Sequence, residues 1–170
     1  MRPYPAELEG ELTLRDGTRV RVRPIRPDDV ELEKRFFERL SERSRFQRFM
    51  YSINALSPKM LERFTRVDYD RELALVAFFE DEFIAVGRYA PNQDGITAEF
   101  ALVVADAWQR KGLGRALLEK LREEARKAGY KALYGTILGD NQEMIELVHR
   151  LGFVHDSRDG ASVTVVNRLD

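Results

Sequence analysis

One segment constrains the fold more than any other: residues 98–121 combine a strand, a glycine-containing turn and a helix. Residues 99–104 are mostly apolar and have strand character, and residues 109–115 lead directly into a helix predicted over residues 113–128. Leucine and alanine fall on one face of that helix and charged residues on the other, as in a helix that packs on a sheet. Gly129 then ends it. We therefore expect a sheet with this helix packed against it.

The rest of the chain changes between strand and helix patterns without an internal repeat. We expect a mixed sheet in the order β-α-α-β-β-β-α-β-α-β-β, which is not the regular alternation of a βα fold. The predicted strands cover residues 11–14, 19–25, 72–80, 83–90, 96–104, 132–138, 153–156 and 162–166. Further helical segments start at Pro27 or cover residues 43–51, 58–64 and 141–151.

The composition excludes several classes of protein. The 170 residues favour one domain over residues 1–170. The chain has no cysteine, and His149 and His155 are too few for a zinc site without carboxylates, so we expect no metal. A net charge of -1 argues against nucleic-acid binding. Residues 1–10 do not resemble a signal peptide, and no apolar stretch reaches the roughly 20 residues that span a bilayer. We predict a cytoplasmic protein that binds no membrane.

The turn at residues 109–115 has the properties of a phosphate site. The start of a helix presents free N–H groups and a partial positive charge, both of which attract anions. Glycines let phosphate oxygens approach the main chain, and basic side chains add charge. The glycines are Gly112 and Gly114, and the basic residues are Arg110, Lys111 and Arg115.

Two nucleotide-binding motifs do not fit this turn. A P-loop needs Lys and then Ser or Thr after its last glycine, but Gly114 is followed by Arg115 and Ala116. A dinucleotide-binding turn needs glycine or alanine where the chain has Leu117. From the turn alone, a glycine cap on an ordinary helix remains the alternative.

Residues 104–114 resemble the motif of the GCN5-related N-acetyltransferases (GNAT), which reads Gln/Arg-x-x-Gly-x-Gly/Ala. Gln109, Gly112 and Gly114 occupy its three defining positions. A second hallmark is Asn141 after a strand, followed by a helix that runs to residues 151–153. The resemblance implies the α+β GNAT fold, with a central twisted, mostly antiparallel mixed sheet of about seven strands flanked by helices.

A narrower resemblance points to the acetyltransferase domain of bacterial Pat-type protein lysine acetyltransferases. It covers residues 23–27, 41–50, 68–76 and 98–100. In that family the domain is often fused to an acyl-CoA-synthetase-like region or a cyclic-nucleotide-binding domain. Neither is visible in this sequence, so we expect a stand-alone catalytic domain.

The resemblance implies acetyl-CoA as the cosubstrate and assigns residues to it. The main chain of Leu102 and Val104 is expected to bind the pantetheine amides in a wedge beside the strand at residues 132–138. Asn141 is expected either to bind the cofactor or to cap the last long helix, and the cap is favoured. The pyrophosphate is expected at the N–H groups of Arg110, Lys111, Gly112, Leu113, Gly114 and Arg115.

Glu99 is the predicted general base, again by resemblance. An amine is mostly protonated near neutral pH and must lose a proton before it attacks the thioester. We expect Glu99 to be buried in the sheet, which would strengthen it as a base. The alternative is an exposed strand glutamate in a salt bridge. Asp106 is expected to lie solvated in its turn.

Other assignments are less specific. Asp68, Tyr69 and Asp70 form a polar loop that either contacts the acceptor or is a turn with its own ion pairs. Many family members carry a tyrosine general acid where this chain has Val148, so a side-chain acid is in doubt. Tyr134 and His149 are the two residues that could replace this tyrosine as the general acid, although ordinary structural roles are favoured for both.

The predicted reaction is transfer of an acetyl group from acetyl-CoA to a primary amine by direct attack in a ternary complex. A protein lysine is the favoured acceptor, through the family resemblance. A small-molecule amine is the enzymatic alternative, and a non-catalytic CoA-binding sensor is the other. The sequence is compatible with a monomer or a homodimer.

Overall fold

The computed structural model describes residues 2–170, and its main elements follow the predicted segments closely. The strands are β1 (Gly10–Thr13), β2 (Arg19–Pro24), β3 (Leu73–Phe79), β4 (Glu82–Pro91), β5 (Ala98–Val104), β6 (Ala132–Leu138), β7 (Val154–Asp159) and β8 (Ser162–Arg168). The helices are α1 (Val30–Arg39), α2 (Glu42–Phe49), α3 (Pro58–Thr65), α4 (Leu113–Lys127) and α5 (Gln142–Arg150).

The strands of residues 2–170 form one eight-stranded sheet in the order β1-β2-β3-β4-β5-β6-β8-β7. β5 and β6 are parallel, and every other neighbouring pair in this part of the chain is antiparallel. The predicted mixed, mostly antiparallel fold is therefore confirmed. The predicted segments before β3 include both strands of the β1–β2 hairpin and three helices, as the structure has them, although the condensed order counts only one strand and two helices there.

Pairing between β5 and β6 is short. Within the described residues it covers only residues 98–100 of β5 and 133–135 of β6. Both strands continue beyond this point, to Val104 and Leu138. The other edge of β5 stays paired with β4 along its full length. A gap therefore opens in the middle of the sheet, as the family resemblance predicts.

Helices cover both faces of the sheet, and two adjacent residues of β4 show which helix lies where. A Cβ on Gly87 would lie 2.9 Å from Cδ1 of Leu121, so α4 packs closely on that face. Arg88 points to the opposite face because side chains alternate along a strand. Its guanidinium lies 4.8 Å from the ring centroid of Phe64 in α3. α1 contacts both β4 and α3 and completes this second layer.

None of the helices described between residues 2 and 170 combines the length and the apolar composition that crossing a membrane requires.

Gly135 of β6 allows the ring of Phe100 to lie across the strand next to the gap. A Cβ on Gly135 would clash with Cε1 of Phe100. The ring is held from another side by Phe153, at 5.5 Å between ring centroids. A side chain at position 135 is therefore in direct conflict with the core beside the gap.

We expect Gly135→Ala to lower the free energy of unfolding by about 1–3 kcal/mol, because the added methyl group overpacks the core. Chemical denaturation measures this change. The matched control is Gly10→Ala in β1, where no described atom lies within 4 Å of the added Cβ. Equal stabilities of the two variants would contradict this account of Gly135.

Candidate functional site

A cavity of about 720 Å³ occupies the gap between β5 and β6. Its walls come from both faces of the sheet: α2 contributes Gln47 and Arg48, while α4 and α5 contribute Gly114 and Leu147. Gly114 is needed where α4 meets α5, since a Cβ there would lie 3.2 Å from Cδ1 of Leu147. A molecule in this cavity is therefore within reach of groups on both sides of the sheet.

The turn at residues 109–115 lies at one end of the cavity. Gly112 caps α4 with φ 88°, a left-handed conformation that favours glycine. The bond from the Ala116 N–H to the Gly112 carbonyl, 3.1 Å long, begins the helix, so the preceding N–H groups have no acceptor within it. Gly112 and Gly114 line the cavity, whereas the Leu113 side chain is buried in the core. The turn presents N–H groups and positive dipole to a ligand.

Three arginines line the cavity near this turn, namely Arg15, Arg110 and Arg115. The Arg110 guanidinium pairs with Glu143 of α5. The Nε of Arg115 lies 2.9 Å from Oε1 of Glu119, one turn further along α4. All three cations are in a position to meet anionic groups of a ligand.

The Lys111 side chain forms an ion pair, while pyrophosphate binding by its main-chain N–H stays a prediction. Its Nζ pairs with Oδ2 of Asp16 at 3.0 Å, in the turn that joins β1 and β2. Hydrogen bonds from the backbone of Thr18 and from Lys111 lower the pKa of Asp16 to about 2. In the described structure the Lys111 side chain does not line the cavity. Its ion pair links the β1–β2 hairpin to the turn at residues 109–115.

The backbone of β5 faces the gap at the two predicted residues. The N–H of Ala105 donates to the carbonyl of Ile84 at 2.8 Å, toward β4. Because backbone groups alternate in direction along a strand, those of Val104 and Leu102 point toward the gap. Nε2 of Gln109 donates to the Val104 carbonyl at 3.0 Å. In the described register Leu102 has no partner on β6, so its amide is available to a ligand.

Asp106 links α2 to the turn. Its carboxylate accepts hydrogen bonds from the N–H and Oγ of Ser41, at 3.1 and 2.8 Å, and from Oγ of Ser44 at 3.1 Å. Burial acts to raise the pKa of Asp106, but these hydrogen bonds hold it below its usual value. Oγ of Ser44 also lies 3.5 Å from Nε2 of Gln109. Asp106 is exposed, as expected, and its carboxylate in addition joins two parts of the site.

Glu99 lies on the face of the sheet that carries Arg88. It shares that face with Ala101, two residues along β5, and Ala101 is directly opposite Arg88 on β4. Oγ1 of Thr136 donates to Oε2 of Glu99 at 2.9 Å, and both residues line the cavity. The predicted burial of Glu99 is wrong: its side chain is exposed, since the short β5–β6 pairing leaves this face open.

Asn141 caps α5, and its Oδ1 accepts a hydrogen bond from the Met144 N–H at 3.3 Å. The favoured structural role is thus confirmed. Asn141 also lines the cavity, so contact with a cofactor stays a prediction. Val148 is fully buried in the core. Among the residues that the structure describes, the cavity walls include neither Tyr134 nor His149.

The loop formed by Asp68, Tyr69 and Asp70 is built around backbone hydrogen bonds. Oδ1 of Asp68 accepts from the N–H groups of residues 70–72, at 2.8–3.0 Å. Burial acts to raise the pKa of Asp68, but these hydrogen bonds keep it below its usual value. The hydroxyl of Tyr69 donates to the Ile25 carbonyl at 2.6 Å. In the chain from residue 2 onward, none of the three residues lines the cavity.

Thr136, Arg48 and Arg15 are three of the cavity residues that the sequence-based predictions of the site do not include. Thr136 has a partial signal, because it follows the residues of β6 that pair with Glu99 and its neighbours. Arg48 lies in the last turn of α2, and Arg15 lies in the turn that joins β1 and β2. For these two arginines, only the assembled fold reveals their position in the cavity.

No group of three or more His, Cys, Asp or Glu side chains within residues 2–170 is arranged to hold a metal ion.

Comparisons with known proteins agree with this geometry. Residues 32–153 match the model of the acetyltransferase (GNAT) family. The chain is 33% identical over 161 residues to acetyltransferase PA5475 of Pseudomonas aeruginosa, covering 92% of this chain and 87% of that protein.

Two further relatives bear the name Pat. Acetyltransferase Pat of Mycolicibacterium smegmatis is 29% identical over 158 residues, covering 91% of this chain, and the chain spans only 47% of the length of that protein. The crystal structure of the GNAT domain of S. lividans PAT superposes with a TM-score of 0.92 at 35% identity, covering 98% of this chain and 99% of that one.

We expect Asp68→Ala to lower the free energy of unfolding by about 1–3 kcal/mol, because backbone N–H groups lose a charged acceptor. The binding of acetyl-CoA should remain unchanged, because Asp68 lies outside the cavity. Asp70→Ala is the matched control, since this neighbouring carboxylate is exposed. Thermal unfolding and ligand titration of both variants check the difference. A loss of binding in Asp68→Ala without a loss of stability would contradict a structural role.

Proposed function

Because this chain belongs to the GNAT family and is an acetyl-CoA-dependent acetyltransferase, we propose that it acetylates a protein lysine with Glu99 as the general base. The lysine amine attacks the thioester directly in a ternary complex. Residues 1–170 act as one catalytic domain. The proposal keeps the cytoplasmic location and the monomer or homodimer predicted from the sequence.

One observation carries this proposal: the cavity passes through the sheet and has different chemistry at its two ends. Anion-binding groups, the first turn of α4 and three arginines, lie at one end. A carboxylate, Glu99, lies on the opposite face of the sheet beside α2. A phosphorylated donor and an amine acceptor therefore have separate binding regions that meet in the gap.

The donor end fits coenzyme A. A pyrophosphate suits the free N–H groups after Gly112 and the guanidinium groups of Arg15, Arg110 and Arg115. The amides of a pantetheine arm suit the backbone of Leu102, which faces the gap without a strand partner in the described register. When bound, acetyl-CoA supplies the activated acetyl group, and these residues bind and orient it.

Glu99 fits the role of a base at the acceptor end. A lysine amine has a pKa near 10.4 and is mostly charged at neutral pH. The carboxylate of Glu99 takes one proton from it, directly or through a water molecule, so that the nitrogen lone pair can attack. Thr136 holds one carboxylate oxygen at 2.9 Å and so fixes its orientation. The other oxygen is left to accept the proton.

The leaving thiolate needs no side-chain acid in this proposal. Val148 is buried where many relatives are expected to carry a tyrosine, and it has no proton to give. The cavity is in contact with solvent, so water protonates the coenzyme A thiolate after it leaves. The acetyl group stays on the amine nitrogen, which loses its second proton to bulk solvent.

The choice of protein lysine as acceptor is supported by the resemblance to Pat-type enzymes and by the superposition on the S. lividans PAT domain. The chain spans about half of the M. smegmatis Pat protein, so the partners and regulation of that longer protein are not transferred here.

Acetyl-CoA should raise the melting temperature with increasing concentration. A ligand at 100 times its Kd stabilises the folded state by about 2.7 kcal/mol. For a domain of this size, this corresponds to roughly 5–10 °C. A thermal-shift titration with acetyl-CoA measures this, with adenosine as the control that lacks the pyrophosphate and the pantetheine arm. If neither compound shifts the melting temperature, the donor site is wrongly placed.

Glu99→Gln should lower kcat by roughly 10²–10⁴-fold, because the variant cannot accept a proton. The affinity for acetyl-CoA should stay close to that of the wild type, since Glu99 lies away from the donor end. Release of free thiol from acetyl-CoA with a lysine peptide measures the rate. Glu11→Gln, at an exposed glutamate on the distant strand β1, is the control and should retain activity. An unchanged rate in Glu99→Gln would remove Glu99 from the mechanism and favour a different base.

A further inference from the structure

Arg48 lies at the acceptor end of the cavity, far from the turn that binds anions at the donor end. Both Arg48 and Glu99 line the cavity, and the charge of Glu99 acts on the Arg48 guanidinium. Glu99 and Val104 are five residues apart on β5, which places them about 16 Å from each other. Arg48 therefore belongs to the acceptor region and not to the phosphate-binding group of Arg15, Arg110 and Arg115.

The guanidinium of Arg48 lies close to two aromatic rings. It lies 4.6 Å from the ring centroid of Phe49 and 5.8 Å from that of Phe64. Among the described residues it makes no ion pair and donates no hydrogen bond, although it is only partly exposed. An arginine carries five N–H donors, and within the described residues none of those of Arg48 has a partner. These N–H donors are available to a molecule in the cavity that Arg48 lines.

The surroundings of Arg48 leave its charge incompletely balanced. Burial, and then the nearby charge of Arg88, lower the pKa of Arg48 to about 10. Glu33 of α1 is the nearest buried carboxylate to Arg48 and Arg88. In the described chain it forms no ion pair within 4.0 Å with either arginine, and its Oε2 has no hydrogen-bond partner. Burial raises the pKa of Glu33 despite both arginines, which weakens it further as a counterion. Glu99 also acts on Arg48 through its charge but forms no ion pair with it in the described chain, so the N–H groups of Arg48 stay available to another carboxylate.

We propose that Arg48 forms an anion subsite that binds a carboxylate next to the accepting amine, so that the preferred acceptor is a lysine flanked by Asp or Glu. This inference rests on the proposed function. The amine lies at Glu99 and the acidic side chain at Arg48, so the two charges of the acceptor match the two charges of the site. The planar guanidinium, which lies against the stacked rings of Phe49 and Phe64, is suited to a bidentate bond with a carboxylate.

The same electrostatics disfavour a lysine in a basic segment. A second cation near the amine meets Arg48 and Arg88 in a partly desolvated cavity, where like charges repel more strongly than in water. Arg48 thus acts as a specificity-determining residue through both attraction and repulsion.

The first test uses the wild-type enzyme and capped peptides. Lysine peptides with an acetylated N-terminus and an amidated C-terminus carry Glu, Gln or Arg at both neighbours of the lysine. We expect kcat/KM for the Glu peptide to exceed that for the Gln peptide by roughly 10- to 100-fold, the range of a charge-assisted hydrogen bond. The Arg peptide should be poorer still. Equal values for the Glu and Gln peptides would overturn the subsite.

The second test is Arg48→Gln, which should bring the values for the Glu and Gln peptides to within about threefold of each other, with the change mainly in KM. Arg43→Gln is the matched control: it removes the same charge from the same helix, but Arg43 is outside the described walls of this cavity. Arg43→Gln should keep the preference. A preference that survives in Arg48→Gln would overturn the proposal.

Melting temperature and acetyl-CoA binding of Arg48→Gln are measured first, and the wild-type series decides the question if the variant does not fold.

Free L-lysine and L-lysinamide distinguish an α-carboxylate from an acidic neighbour. If the enzyme acetylates L-lysine but none of the peptides, the carboxylate comes from a free amino acid and the protein-lysine subsite is overturned. If the peptides are acetylated without any charge preference, the proposed function stands and only the subsite fails. If acetyl-CoA binds but no amine is acetylated, the proposed function itself fails.

Discussion

The pairing between β5 and β6 ends at Phe100, and the functional site depends on this early end. A fully paired sheet would satisfy its own backbone groups and separate its two helical layers. Here the unpaired half of β5 leaves the Leu102 amide free, and the gap lets α2 on one face and α4 on the other reach the same cavity. The splay is stabilised from both sides, by the full pairing of β5 with β4 and of β6 with β8.

The gap also demands close packing at its borders. Gly135 lets the Phe100 ring cross β6, and Gly114 lets α4 approach α5. The reason for a glycine at position 114 is therefore not the usual one in a phosphate-binding turn. Its missing side chain makes room for Leu147, whereas Gly112, with φ 88°, provides the backbone conformation that begins the helix. The two glycines of one short motif thus satisfy two different physical requirements.

Long, strongly patterned elements could be predicted from the sequence. β6 has the predicted bounds, and α4 ends within one residue of the prediction, because both carry clear periodicity and a terminating signal. Contacts between distant segments could not be predicted. Alternation places Glu99 and Ala101 on one face of β5 but does not reveal that α2 leaves Glu99 exposed there. The three bonds from Ser41 and Ser44 to Asp106 join residues more than 60 positions apart, and no local pattern encodes them.

The bonds at Asp106 connect the two halves of the cavity. Ser41 caps α2, whose last turn carries Arg48 at the acceptor end, and Asp106 anchors that cap beside the donor turn. Gln109 continues the connection from Ser44 to the Val104 carbonyl at the mouth of the gap. The donor turn and α2 are therefore connected through hydrogen bonds to a charged group, which are stronger than neutral ones. The walls of the proposed acceptor region are thus connected by the same side chains to the turn of the proposed donor end.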